Sequence, residues 1–496
     1  MNARAVMVLG CTSGAGKSWL ATALCRWYAR QGLAVAPFKA QNMSNHARVV
    51  ARPDGSLGEI GSAQYFQALA ARAVPQVDMN PVLLKPEADT RSQVVLQGRV
   101  REDLTAMPWR ERSALLWPVA QESLARLRER CEVLVVEGAG SPAENNLAAS
   151  DYVNTRTALA AEAACLLVAD IDRGGAFAHL YGTHALMDAR VRLRLRGFVL
   201  NKFRGDAALL APAPAQLEAL TGVPTLAVLP MQPDHGLPEE DAVPSTRPDT
   251  HPGTRPGPQV TVLAYPHASN LDEFEPLRTA GVALVFTRDA GQVAAADWLV
   301  LPGSKHTRAD LAWLREHGLD RAIHAHVARG RPLLALCGGL QLVGQRLEDP
   351  LGLEGGSPGV DAGLGLLPLA TRFEPAKHLA RTAQRFATLT GPWAPLSGLQ
   401  VEGYEIHLGR SRAQDPNPHP DLRPALPSAD PAQPLGWQQG PVLALYLHGL
   451  FENPAVVQAL FGVRARPLDH VFDALADCVE AHFKPGALMA LLEKTP

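Results

Sequence analysis

The sequence predicts an α/β protein made of two doubly wound domains, each on a mainly parallel sheet. Short β-rich runs alternate with longer helical patterns, the strand–helix–strand signature. The runs are apolar throughout rather than at every second residue, as strands covered on both faces are. A Pro- and charge-rich stretch from Gln232 to Gln259 can sustain neither a helix nor a central strand, and it separates two such series. A chain of 496 residues has room for two or three domains at roughly 150 residues each.

In the first series a strand over 5–10 precedes a helix over 18–32 and a second strand over 33–39, followed by runs at 133–138, 164–170, 196–202 and 224–230. The second series has runs at 260–266, 282–287, 297–303, 331–339 and 442–449. The expected division is a nucleotide-binding domain over 1–232, a linker over 233–258 and a second domain over 259–496. A further Pro-rich tract, 411–439, reads as a surface excursion without chemistry of its own.

Composition narrows the function. Apolar residues make up 47% and charged residues 19%, ordinary globular usage, and 47 Lys plus Arg against 49 Asp plus Glu give no global pull toward nucleic acid or acidic membranes. Small-molecule partners are therefore expected, with no nucleic acid and no membrane. The six cysteines are scattered without a CxxC pair, which argues against a structural zinc site and a disulfide framework. The apolar stretch near the amino terminus is about six residues, below the ~7–15 of a signal peptide, so a cytoplasmic location is expected.

Gly10-Cys-Thr-Ser-Gly14-Ala-Gly16-Lys17-Ser18 falls where the first strand ends and the first helix begins. Free backbone N–H groups and the helix dipole hold phosphates there, Gly14 and Gly16 let the backbone approach, Lys17 reaches the terminal phosphates and Ser18 ligates Mg²⁺. ATP and Mg²⁺ are the implied cofactors. Five residues rather than four separate Gly10 from Gly16, which resembles the loop of the dethiobiotin-synthetase-like ATPases. Their relatives among the partition and division-site ATPases carry an extra Lys where this chain has Thr12, which argues against a dimeric ATP switch.

Glu137, at the end of the run VLVVE, is the leading candidate for a Mg²⁺ carboxylate, and Glu59, read as opening a helix, is a second one. Asp170 and Asp172 occupy a similar strand end, where helix capping explains them equally well. Lys39 follows the second strand and is placed to stabilise charge on a transferring phosphoryl group or an acyl phosphate. NKFRGD, 201–206, reads as a strand-end turn.

In the second series Cys337 follows the apolar run Pro332–Leu336 and precedes Gly338-Gly339, the pattern of a sharp strand-to-helix turn that exposes a nucleophile beside oxyanion donors. His448, directly after the run 442–446, is the expected general base. Gly303 in LPGSKHT is expected to supply the other oxyanion N–H, beside that of Gly338. For Glu405 and His407 in GYEIHLGR, substrate closure and simple loop structure are equally good accounts.

Taken in order, GCTSGAGKS, APFKAQNMS, NPVLLKPEAD, QVVLQGR, VEGAGSPAE, VADIDRGG, NKFRGD, LPGSKHT, LCGGLQL, GYEIHLGR and YLHGLFEN resemble the cobyric acid synthase family over nearly the whole chain. The resemblance implies a P-loop NTPase-like domain followed by a class I glutamine amidotransferase-like domain. It also implies ATP- and glutamine-dependent amidation of the b, d, e and g carboxylates of adenosylcobyrinic acid a,c-diamide in cobalamin biosynthesis. Triad-type members of the amidotransferase class have Glu two residues after the His; here that position is Leu450, and the group that orients His448 stays unassigned. Ala335 stands where many relatives have Gly. The a,c-diamide synthases carry the same chemistry on the same two domains, and an ATP switch with an inert amidotransferase fold is the alternative outside that class.

Overall fold

The computed structural model describes residues 3–88, 91–238, 258–354, 356–414, 421–428, 430 and 433–493. They form two compact units. The first is built on a six-stranded parallel sheet of β1 (Arg4–Gly10), β2 (Val35–Phe38), β3 (Val133–Glu137), β4 (Ala164–Asp170), β5 (Leu195–Phe203) and β6 (Thr225–Pro230), in the order β6-β5-β4-β1-β3-β2. Residues alternate across the strands between two cores. Met7, Leu9, Leu134 and Val136 enter one, and Val6, Val8, Val133 and Val135 the other. That two-sided burial is why these runs carry no polar alternation. The chain leaves β1 toward β2 and later crosses to β4 on the other side of β1, so the strand order reverses beside the carboxyl end of β1, the usual ligand position in such sheets.

The second unit has a seven-stranded sheet. Its strands are β7 (Val260–Leu263), β8 (Leu284–Thr287), β9 (Trp298–Leu301), β10 (Leu333–Leu336), β13 (Arg423–Leu426), β14 (Gly436–Gln439) and β15 (Val442–Leu445), in the order β8-β7-β9-β10-β15-β14-β13. Five strands are parallel, and β14 and β13 extend the edge antiparallel. A separate antiparallel hairpin pairs β11 (His378–Arg385) with β12 (Gln400–His407).

Three expectations are corrected. The tract 411–439 is no plain surface excursion: β13 and β14 lie within it, with Ala425, Leu426 and Trp437 buried, and Ser411 lies in the strand Arg410–Ala413. Pro424 is tolerated because β13 is an edge strand. Glu59 lies in the strand Leu57–Gly61, one step before the helix α2 (Ser62–Ala70), rather than at a helix start. The last segment, Leu468–Pro496, groups with the first unit, whereas the linear division had placed it in the second; Asn45–Val49 groups with the second. The expected linker over 233–258 lies mostly outside the described residues.

The return of the carboxyl-terminal segment has a packing cause. In the helix α4 (Leu468–His482), Phe472, Leu475 and Val479 complete one core of the first sheet beside α1 (Lys17–Arg30). Buried Arg26 of α1 reaches Asp473 at 2.7 Å and Asp469 at 2.9 Å, and the Tyr28 hydroxyl donates to the Leu488 carbonyl at 2.7 Å. Phe472→Ala therefore removes a fully buried ring, and we expect the first unit to lose about 3–5 kcal/mol in urea unfolding, while glutamine hydrolysis by the second unit persists.

Candidate functional site

Each unit carries one polar cluster at the carboxyl edge of its sheet. In the first, β1 runs into the glycine loop and α1 starts at Lys17. Gly16 has φ 94° and a Cβ there would lie 2.0 Å from the Asn201 amide nitrogen, so no other residue fits without displacing Asn201. That amide donates to the Ala15 carbonyl at 3.0 Å and Lys202 donates to the Gly14 carbonyl at 2.8 Å. The last residues of β5 thus hold the loop in shape, so Asn201 and Lys202 are strand residues rather than part of a strand-end turn. The Lys17 ammonium folds back over the loop to the carbonyls of Thr12 (3.0 Å) and Gly140 (3.2 Å).

Glu137, at the end of β3, gathers the remaining groups. Its Oε1 accepts from the Ser18 hydroxyl and from the Lys39 ammonium, both at 2.8 Å, and its Oε2 accepts from Gln67 at 2.6 Å. Burial opposes ionisation, but the Lys39 charge and the donated hydrogen bonds outweigh it and hold the carboxyl below its usual range. Lys39 is itself buried, so removing either partner strands the other charge, at a cost of about 3–5 kcal/mol. An ionised carboxylate touching a hydroxyl beside the phosphate loop is an oxygen donor set that suits Mg²⁺. Glu59 is buried and ion-paired with Lys85, which balances its charge within the protein. Asp170 faces Lys202 at 3.2 Å and Asp172 faces Arg204 at 2.9 Å.

In the second unit Cys337 stands between β10 and the short helix α3 (Gly338–Val343) with φ 50° and ψ −106°, a strained conformation for a residue with a Cβ. Two neighbours enforce it. A Cβ at Gly338 would lie 2.5 Å from the Ser304 nitrogen and one at Gly339 would lie 2.2 Å from the Leu301 carbonyl, so only a glycine pair lets α3 start against the end of β9. The elbow places the thiol, which donates to the Ile406 carbonyl of β12 at 3.4 Å, at the start of a short helix. Gly303 borders the same pocket: a Cβ there would meet His448 Cε1 at 3.2 Å.

His448 is 1% exposed. Its Nδ1 lies 3.0 Å from Glu273 Oε1, and the other Glu273 oxygen accepts from the Gly449 N–H at 3.1 Å. Burial disfavours a charged imidazole, yet the Glu273 carboxylate and the Cys337 sulfur together raise its pKa to about 10. The ring stacks on Tyr404 at 5.4 Å. The acid unassigned from sequence is thus Glu273, from a 3₁₀ turn (Leu271–Phe274) far upstream in the chain. Nothing in the spacing of SNLDEF marks it. Glu452 does not take that place, because it is paired with Arg48, which also binds Asp272 at 2.6 Å.

The first cluster offers groups suited to nucleotide, the second a nucleophile and base suited to a carboxamide. The class such a pair of sites fits is a glutamine-hydrolysing, ATP-dependent carboxylate amidoligase. Residues 6–242 match the CobQ/CobB/MinD/ParA nucleotide binding domain, and 259–456 match the CobB/CobQ-like glutamine amidotransferase domain. The cobyric acid synthase of Methylibium petroleiphilum is 62% identical over 501 residues, covering 99% of this chain and 97% of that protein. The cobyric acid synthases of Leptothrix cholodnii (61%, covering 99% and 97%) and Variovorax paradoxus (60%, covering 99% and 100%) are similar over the same extent. The chain belongs to the cobyric acid synthase family.

Two outcomes test the second cluster. Glu273→Gln removes the charge that orients and stabilises the imidazolium, and glutamine hydrolysis should fall by about 100-fold or more, read as kcat. A His raised from 6.5 to about 10 contributes stability that is complete below 6.5 and lost as pH climbs through 10. The same variant should flatten the decline in melting temperature across that window, measured by pH-resolved calorimetry.

Proposed function

We propose that the chain converts adenosylcobyrinic acid a,c-diamide to cobyric acid by amidating its b, d, e and g carboxylates, with ATP and glutamine, in cobalamin biosynthesis. The observation that carries the reading is the coexistence in one chain of the Cys337–His448–Glu273 arrangement and the Lys17–Ser18–Glu137–Lys39 cluster. The name shared by relatives of about 60% identity over the full chain selects the corrin substrate.

In the second unit the Cys337 thiolate attacks the glutamine carboxamide carbon, and the Gly338 and Gly303 N–H groups receive the developing oxyanion. His448, held by Glu273, protonates the departing ammonia and then draws a proton from the water that hydrolyses the thioester. In the first unit a substrate carboxylate attacks the γ-phosphorus of ATP and ADP leaves. Free carboxylate is a poor electrophile, and the acyl phosphate so formed gives ammonia a carbonyl with phosphate as leaving group. Gly14 and Gly16 shape the loop around the phosphates, and Lys17 and Lys39 offset charge on the transferring group. Ser18 and Glu137 would hold Mg²⁺, which supplies charge neutralisation at the phosphate oxygens when bound. Lys39 then exchanges part of its pairing with Glu137 for the phosphoryl oxygens. Glu59, already balanced by Lys85, is left outside this set.

These partners are small molecules, and neither nucleic acid nor a membrane enters the proposal. No helix among the described residues is long and apolar enough to cross a membrane, and a cytoplasmic location is part of the same reading.

Cys337→Ser should lose glutamine-dependent synthesis while retaining synthesis from added ammonia, whereas Lys17→Ala should abolish synthesis from either nitrogen source. Mass spectrometry of the corrinoid product reads both variants. Full glutamine-dependent turnover in Cys337→Ser would overturn the assignment, and a product gaining amides only at positions a and c of cobyrinic acid would point to a,c-diamide synthesis instead.

A further inference from the structure

The pair Glu405 and His407, which the glutamine chemistry leaves without a role, meets a third residue in the hairpin β11–β12. Strand period puts Glu405 and His407 on one face of β12, and the antiparallel register sets His378 of β11 directly opposite His407. One ligand atom from each of the three lies within 4.8 Å of the others. Both imidazole Nε2 atoms converge on a single oxygen, Glu405 Oε2, at 3.4 Å from His378 and 3.5 Å from His407. The other carboxylate oxygen is taken by the Thr382 hydroxyl at 2.7 Å, which fixes the orientation of the group.

His407 is held as firmly. Its Nδ1 lies 2.9 Å from the Gly409 carbonyl, which can only accept, so Nδ1 carries a proton, and in the neutral ring Nε2 presents a lone pair. That Nε2 is buried without a hydrogen bond, and the ring is stacked on Tyr446 at a centroid distance of 3.9 Å. A lone pair facing a carboxylate oxygen in a buried place is repulsive unless a positive charge sits between them. Ligands about 2.0–2.1 Å from a tetrahedral ion are about 3.4 Å apart, the separation found at both Nε2···Oε2 pairs.

We propose that His378, Glu405 and His407 bind a divalent first-row transition-metal ion of the Zn²⁺ type. Two imidazoles and a carboxylate favour such an ion over Mg²⁺, and a fourth position stays open to water. The backbone carbonyl on Nδ1 of His407 is the outer partner that metal-bound histidines ordinarily have. The ion would clamp β11 to β12, the strand whose Ile406 carbonyl accepts the Cys337 thiol, and would stabilise the second unit by mass action.

Binding is tested on the full chain in the Cys337→Ser background, which removes the competing thiol, with Mg²⁺ in excess. Co²⁺ titration should show d–d absorption without a sulfur charge-transfer band, saturating at one equivalent and displaced by Zn²⁺. His378→Ala touches a half-exposed side chain and should leave the fold intact by circular dichroism, yet weaken Co²⁺ binding by at least about 10-fold and abolish the Zn²⁺-dependent rise in melting temperature. Glu405→Gln should do the same. Absence of Co²⁺ binding in the parent, or equal affinity and stoichiometry in the parent and in His378→Ala, overturns the proposal, and neither result bears on glutamine hydrolysis or ATP use.

Discussion

A parallel strand that hands over to a helix brings backbone N–H groups and a side chain together at its carboxyl end, and both clusters of this protein are built on that junction. After β1 the junction is opened by glycines into a loop shaped to cradle phosphates, with Lys17 at the helix start. After β10 it is tightened by Gly338 and Gly339 until Cys337 adopts a left-handed backbone, and it becomes a nucleophile elbow. On the proposed function the same local geometry serves nucleotide and carboxamide chemistry, and the side chain at the turn decides which.

Buried charge is organised around these junctions in matched pairs. Glu137 with Lys39 and His448 with Glu273 each put a charge where burial alone would forbid it: Lys39 helps hold the Glu137 carboxyl below its usual range, and Glu273 helps raise His448. In the first pair the carboxylate is kept ionised beside a hydroxyl; in the second the imidazole is kept basic beside a thiol. In the hairpin β11–β12 two imidazole nitrogens face one carboxylate oxygen, and the buried Nε2 of His407 makes no hydrogen bond, which is what points to a cation.

The carboxyl-terminal helix shows how chain order and contact order part company. Phe472, Leu475 and Val479 follow the second unit in sequence but complete the core of the first, because α1 leaves one apolar face uncovered. Arg26 adds specificity by pairing with two acids of α4. An amphipathic helix declares in its own sequence only that it must cover something, and its target is chosen by the surface left open elsewhere.

The sequence by itself determined the strand–helix alternation, and it put the glycine loop with Lys17, the turn at Cys337 and His448 at strand ends, because each rests on residues close in the chain whose spacing carries its own physics. It misread what depends on distant partners. The tract 411–439 looked like loop because proline and charge are common there, yet the open edge of β15 recruits β14, and β13 in turn. Glu59 looked like a helix start and is a strand residue balanced by Lys85. Glu273, the support of His448, and the meeting of His378 with Glu405 and His407 were decided only by tertiary structure. Nothing local to those residues records what the fold brings opposite them, since pairing across a fold is set by strand order and register rather than by neighbours in the chain.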